Sequence, residues 1–507
     1  MLDVSTAMSF WSYIYPAIGS LQVILLAVLC VIATLVLCGR PRNMPPGPRG
    51  LPIVGNAIGL LKGALPLVYT DWSKKYGDVF TVYFGPRRTV VLNGYAAIHE
   101  ALVKNAENFS SRPPSRAMMT PDGNTLGIAA EPYGPKLKEH RKFAMMSLRD
   151  FGVGKRSLEG KILEEARGLG DEICKTESRA FCISQMMQNA VSNVICSIVF
   201  GRRYQYDDMA FKDLLNAING VFSRSFAVIF AQVFRPMRIL PGVRKPFQEL
   251  KRNEAKLINH IKDRIKEHED TFDPKDIRDF IDAFLLESKK RQGDENSTFT
   301  EQEHAAIVYQ LFLAGTDTTA ITLRWALLYM ILHPDIQEKV QQEIDSVLGQ
   351  NQEPSMAHRS QMPFTEATLA EVSRLASVTP MTIPHGTSND TAFRGYNIPK
   401  NTSVTVNIWS VHHDPNLWPE PDKFDPTRFL NDEGKYVKRN EVLAFSIGRR
   451  VCLGEQLARM ELFLFFTSLL QRFTFKLPEG APKPSEKGIH AALHHPVPFK
   501  LIAEPRD

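Results

Sequence analysis

The sequence predicts a mainly α-helical body with small β-sheets, an α+β arrangement, behind a single N-terminal transmembrane helix. Three observations point there. Residues 19–38 form an apolar window that only Ser20, Gln22 and Thr34 interrupt, with no charge in it. Helical apolar patterns recur through the rest of the chain, whereas strand-like runs are few and short. No break in composition beyond about residue 53 marks a second body.

The window is long enough to cross a bilayer as a helix, which takes about 20 residues. A cleaved signal peptide fits less well, because the apolar run is too long and the basic residues lie after it. Asp3 is the only charge before the window, and Arg40, Arg42 and Arg49 follow it. Positive flanks stay cytosolic, so the N-terminus should face the lumen and the body the cytosol. Next comes the run Pro45-Pro46-Gly47-Pro48-Arg49-Gly50-Leu51-Pro52. Prolines fix φ and remove donors, which predicts a stiff extended hinge. The expected organisation is a membrane anchor at 1–40, a hinge at 41–56 and one folded body at 57–507. Within that body, strands are expected at 79–84, 89–92 and 403–408. Helices are expected at 136–147, 162–174, 184–200, 254–266, 301–332 and 456–470 among others. The polar run 287–297 reads as a solvated loop.

Composition excludes several classes. The chain has 507 residues, 44% hydrophobic and 23% charged, which is neither disordered nor polytopic. Its net charge of 61 − 55 = +6 gives no case for nucleic acid, only room for a local basic patch. Six cysteines over this length do not form a disulfide scaffold, and no CxxC pair suggests zinc. A reducing cytosol fits best, so the N-x-S/T matches at Asn108, Asn296, Asn389 and Asn401 are chance matches. Cys174, Cys182 and Cys196 read as buried or half-buried small side chains.

Cys452 is different. It lies in Phe445-Ser446-Ile447-Gly448-Arg449-Arg450-Val451-Cys452-Leu453-Gly454, just before a helix starting near Glu455. Glycines on both sides allow a tight approach to something flat, and a helix N-terminus with Arg450 favours the thiolate. A buried structural cysteine would not require this pattern of F-x-x-G-x-R-x-C-x-G. The loop resembles the haem-thiolate loop of the cytochrome P-450 monooxygenases, whose matching cysteine is the proximal iron ligand. The resemblance runs from the proline hinge to the C-terminus. The phrases Lys138-Glu139-His140-Arg141-Lys142-Phe143 and Leu148-Arg149-Asp150-Phe151-Gly152 are similar to the animal microsomal family-2 class.

The resemblance implies the cytochrome P-450 fold and a set of roles. Ala314-Gly315-Thr316-Asp317-Thr318-Thr319 resembles the distal-helix groove, with Thr318 bonding to the oxygen side and Asp317 relaying protons from solvent. Gly and β-branched residues are locally costly in mid-helix. Glu371 and Arg374 share a helix face, and with Arg428 they match a buried structural network behind the cysteine loop. Arg112, Arg141, His385 and Arg450 are the implied cations for the haem propionates, with Phe445, Gly448 and Gly454 shaping the loop. The family's usual tryptophan is replaced by Leu137, which removes one indole donor.

The implied activity is insertion of one oxygen atom of dioxygen into an apolar substrate. The implied cofactor is haem b held by Cys452, with NADPH electrons arriving through NADPH–cytochrome P-450 reductase and cytochrome b5 as a further donor. The basic stretch Lys136, Lys138, His140, Arg141, Lys142, with Arg149, Lys155 and Arg156, is the expected docking face. Residues 222–241 are either core helix or a membrane-dipping entrance. The endoplasmic reticulum membrane is the expected location. The C-terminal third, including Met460-Glu461-Leu462-Phe463-Leu464, is similar to members that hydroxylate long-chain fatty acids; steroids and xenobiotics stay open. Two alternatives are a reductase-independent isomerase or dehydratase of lipid peroxides, and a non-catalytic haem sensor or steroid carrier. Asp317 and Thr318 weigh against both, and the basic face weighs against the second.

Overall fold

Helix starts follow local capping chemistry. The computed structural model describes residues 22, 24–29, 43–51, 54–60, 63–85, 87–113, 127–222, 228, 231, 235–349 and 352–506. Its longer helices are α1 (Leu65–Tyr76), α2 (Pro135–Asp150), α3 (Arg156–Cys174), α4 (Ser184–Val199), α5 (Met209–Phe222) and α6 (Arg244–Asp270). They continue with α7 (Phe280–Lys290), α8 (Glu301–Leu332), α9 (Pro334–Leu348), α10 (Pro363–Ala376) and α11 (Glu455–Arg472). Helices α1, α2, α9 and α10 carry proline in the first turn, where its missing N–H has no helical partner anyway. Asp279 caps α7 by accepting from the Asp282 amide at 3.0 Å. Thr300 caps α8 by accepting from the Glu303 amide at 3.3 Å.

Helix α8 is the axis. Its 32 residues span about 48 Å at 1.5 Å per residue. It is buried on most of its circumference, as a helix at the centre of a body must be. It packs on α4, α6, α10 and α11, and one continuous apolar core joins these elements.

The strands are β1 (Val79–Phe84), β2 (Arg87–Leu92), β3 (His385–Gly386), β4 (Thr391–Phe393), β5 (Tyr396–Ile398), β6 (Ser403–Val406), β7 (Phe473–Lys476), β8 (Ile489–His490), β9 (His494–His495) and β10 (Ile502–Pro505). The largest sheet has the order β1-β2-β6-β3. β2 and β6 run parallel, with Thr89 opposite Ser403, and the other pairings are antiparallel. A smaller core of Val79, Val90, Leu92, Val404 and Val406 lies on this sheet. The body is thus mostly helical with small sheets, as the sequence predicts.

Element ends differ in places. Helix α6 starts at Arg244, ten residues before the expected 254, because its first turns are charged and their apolar stripe is thin. Cys174 and Cys182 are exposed rather than buried; the first ends α3 and the second lies just before α4. Most of the window 19–38 lies outside the described residues. Its described part, residues 22 and 24–29, is helical and exposed, with apolar side chains over 24–29. Among the described residues no helix is long and apolar enough to cross a membrane. Residues 223–234 also lie almost wholly outside the described residues. Beyond them Ile239 is 78% exposed at the end of a short 3₁₀ turn, so this end of the stretch is not core. The proline run does not hang free: the Thr81 amide donates to the Pro46 carbonyl at 2.7 Å, tying the run to β1.

Candidate functional site

A cavity lies between α8, α11, the middle and end of α2 and the cysteine loop. It encloses about 1450 Å³ of empty space, its open mouth included. Its wall is mainly apolar, with Ile128, Ile307, Leu311, Ala314, Val378 and Ile383 contributing.

Cys452 opens onto this cavity while the rest of its surroundings are protein. The loop that presents it is closed by backbone bonds, Cys452 N–H to Phe445 O at 3.0 Å and Ser446 N–H to Leu443 O at 2.8 Å. Gly448 is obligatory: its φ is 79°, and a Cβ there would lie 2.1 Å from the Leu102 carbonyl oxygen. Gly454 differs from expectation, since its φ of −88° is open to any residue. Burial pushes the Cys452 thiol up. The amides of Gly454 and Glu455 and the charge of Arg141 oppose this. The cation acting on the sulfur is therefore Arg141 rather than the expected Arg450. Phe445 lines the cavity and is covered by Arg459, whose guanidinium carbon is 4.9 Å from the ring centre.

Three arginines converge on the same cavity. Arg112 donates to the carbonyls of Ala129 at 2.7 Å, Pro384 at 3.2 Å and Ile383 at 3.3 Å. Arg450 donates to Ser110 O at 2.7 Å, Ile128 O at 3.2 Å and Glu131 O. Arg141 donates to Val451 O at 2.8 Å. None of the three forms an ion pair among the described residues. Burial and their mutual repulsion hold Arg112 well below the usual arginine range and push Arg450 down to about 10. Buried charges normally have partners, so this cluster fits an anionic group that enters the cavity, such as the two carboxylates of a haem.

His385 departs from the expected cation. Its Nδ1–H donates to Phe109 O at 2.7 Å, and burial with Arg112 and Arg450 nearby pushes its pKa down to about 3. The neutral ring then offers only an acceptor at Nε2.

On α8, Thr318 lines the cavity and donates to Ala314 O at 2.9 Å. Asp317 does not line it. Asp317 Oδ1 accepts from Gln188 Nε2 of α4 at 2.6 Å, and burial pushes its pKa up to about 6. Asp317 is only 3% exposed, so it has no direct contact with solvent. Helix α8 stays α-helical through the Gly315 motif, with Thr316, Thr318 and Thr322 hydroxyls all bonding back four residues. Gly315 is needed because a Cβ would lie 2.9 Å from the Ile195 side chain.

Glu371 and Arg374 are both fully buried and paired at 2.6 and 2.7 Å, with Arg428 3.4 Å from the same carboxylate. Arg374 also donates to His412 O at 2.6 Å and Pro421 O at 2.8 Å. His412, which no sequence pattern marks, completes the link: its Nε2 accepts from Leu443 N–H at 2.8 Å, two residues before Phe445. The triad thus braces the cysteine loop through one imidazole, which burial keeps neutral with a pKa of about 3.

The expected basic face is smaller than the sequence suggests. Lys136 pairs with Glu131 at 3.1 Å and Glu303 at 2.5 Å, His140 is buried, and Arg141 points to the loop. Lys138, Lys142, Arg149, Lys155 and Arg156 remain exposed. Leu137 is 1% exposed within the core.

The model of the family described as Cytochrome P450 matches residues 45–503. Human Cytochrome P450 2U1 is 40% identical over 497 residues, covering 92% of this chain and 90% of its own. Human Cytochrome P450 2J2 is 40% identical over 509 residues, covering 99% of both. Rat Cytochrome P450 2D26 is 41% identical over 471 residues, covering 92% of this chain and 93% of its own.

Proposed function

Because the chain belongs to the cytochrome P450 family and is a haem monooxygenase, we propose that it works on a membrane and takes apolar substrates. It receives NADPH-derived electrons from a flavoprotein reductase. The substrate class is a long-chain fatty acid, steroid or xenobiotic, and the location is the endoplasmic reticulum with the body on the cytosolic side. One observation carries this reading: Cys452, the buried Arg112 and Arg450 and the half-buried Arg141, which have no carboxylate partner among the described residues, share one mainly apolar cavity with Thr318.

When bound, the haem supplies dioxygen activation and transfer of one oxygen atom to a substrate carbon. Cys452 would hold the haem iron as a thiolate, which the Gly454 and Glu455 amides and Arg141 favour. Arg112, Arg141 and Arg450 hold the two carboxylates with charge-assisted bonds. His385 becomes a donor only once a carboxylate compensates its burial. The Thr318 hydroxyl now bonds to Ala314 O, and a χ1 rotation turns its hydrogen toward the cavity. Asp317 titrates near neutrality and exchanges a proton with that side when its bond to Gln188 loosens. The apolar wall orients substrate and excludes water.

Lys138, Lys142, Arg149, Lys155 and Arg156 offer an acidic reductase, or cytochrome b5, a docking face. Purified enzyme reconstituted with reductase, NADPH and a broad metabolite mixture tests the reading. NADPH- and reductase-dependent oxygen uptake with a hydroxylated product supports it. Product formed from lipid peroxides without reductase would move the chain to the isomerase class.

A further inference from the structure

Glu461 is the strangest residue in the cavity wall. It lies on α11, nine positions after Cys452, between Met460 and Leu462 in an otherwise apolar run. It is 1% exposed, lines the cavity, and its Oε1 is buried without a hydrogen-bond partner. The Thr319 side chain lies beside the carboxyl and opposes the upward push of burial, and Thr319 is the chain neighbour of Thr318. Thr318, Thr319 and Thr322 of α8 and Ser373 of α10 line the same cavity. These four hydroxyls and one carboxyl make up a polar strip of the wall contributed by α8, α10 and α11, in a cavity that Gln310, Thr379 and the three arginines also line.

We propose that Glu461 is a proton-holding residue of the monooxygenase site: with Thr319 it anchors ordered water along this strip and returns protons to the Thr318 side. The step is a proton transfer only. The Glu461 O–H bond breaks, its proton passes to a strip water, and that water's proton passes on toward Thr318. Solvent water reprotonates the carboxylate.

Three facts make the carboxyl suited to this. A buried acid with an unpartnered oxygen is poorly explained as packing, where a glutamine or leucine would cost less. Helices α3, α8, α9 and α10 pack on α11, yet no charged group of theirs acts on Glu461 among the described residues. Burial raises its pKa to about 8, with Thr319 opposing, so it carries a proton at neutral pH. Asp317 faces α4 instead, so the two acids address different sides of α8.

The inference rests on the monooxygenase reading, and the test separates the two. Wild type must first show reductase-dependent turnover; if it does not, that reading fails. Infrared spectroscopy of the holoenzyme, between about pH 6 and about pH 9, should show a protonated-carboxyl band that fades near pH 8. That band should be missing in Glu461→Gln. Glu461→Gln should keep the thiolate-type carbon-monoxide spectrum, while the share of NADPH converted to product rather than peroxide falls about tenfold. This is below the usual contribution of a general acid, because water can substitute. Wild-type coupling should decline above pH 8, and the variant's should be flat. Glu461→Asp should restore part of the coupling. A carboxyl already ionised at pH 6, or unchanged coupling in Glu461→Gln, would overturn the proposal; so would a band that survives the substitution.

Discussion

Replacing Glu371 by alanine should cost the chain its haem without touching the cavity. Glu371 and Arg374 have no exposed side-chain surface, so the substitution leaves a guanidinium buried without its carboxylate. Breaking a buried pair in this way costs about 3–5 kcal/mol. The Asp425 amide, which donates to Glu371 Oε1 at 3.0 Å, loses its acceptor for about 1–3 kcal/mol more. The sum, roughly 4–8 kcal/mol, compares with a total stability of about 5–15 kcal/mol. The loss falls first on the segment 412–443 that Arg374 and His412 hold together, and so on the cysteine loop. The assay is the reduced carbon-monoxide spectrum per milligram of purified protein, with thermal unfolding of the same sample. Glu371→Ala should give little or no thiolate-type spectrum. Glu371→Leu combined with Arg374→Met should recover much of the yield, since the unpaired charge is gone. A normal spectrum and unchanged unfolding midpoint in Glu371→Ala would refute the reasoning.

Further outcomes follow from the same geometry. Arg112→Met should speed haem loss about 10- to 100-fold, measured by haem transfer to a scavenger protein, while relief of repulsion among the three cations offsets part of the roughly 1–3 kcal/mol that the haem-free chain loses with the Ala129, Ile383 and Pro384 carbonyl bonds. Gly315→Ala should lower the unfolding midpoint by the equivalent of about 1–3 kcal/mol, and Ile195→Ala in the same chain should return part of it. The folded pKa of Glu461, about 8, lies above its unfolded value. Wild-type stability should therefore fall from about pH 4.5 to about pH 8, by up to ~5 kcal/mol, and then level off. Glu461→Gln lacks this fall, so its midpoint relative to wild type should rise across that range. Reduction by the reductase should slow with ionic strength, and Lys142→Glu should flatten the dependence; a flat wild-type profile would exclude the basic face.

Much of the site was legible where chemistry forces local spacing. The cysteine loop, the Thr318 motif and the Glu371–Arg374 pair each lie within one turn or one loop, so order along the chain already carries their geometry. The arginine cluster was not legible as a cluster, because Arg112, Arg141 and Arg450 meet only through folding. The basic face was overread, although its correction was available. Leu137, His140, Ala144 and Leu148 share one helix stripe, which marks His140 as inward. Glu461 also left a trace, as the one charge inside an apolar helical run, but its weight depends on the cavity. His412 left none, since its role is set by where Leu443 returns.

The arginine cluster also bears on how long the chain survives in a cell. Its three cations have no ion-pair partner among the described residues and would be compensated by the group they receive, so folding and haem binding form one linked equilibrium. Haem at a hundred times its dissociation constant adds about 2.7 kcal/mol to the folded state, and scarcity withdraws it. A change of that size moves the fraction open to proteolysis by about a hundredfold. The amount of this protein is then set by haem supply as much as by its synthesis.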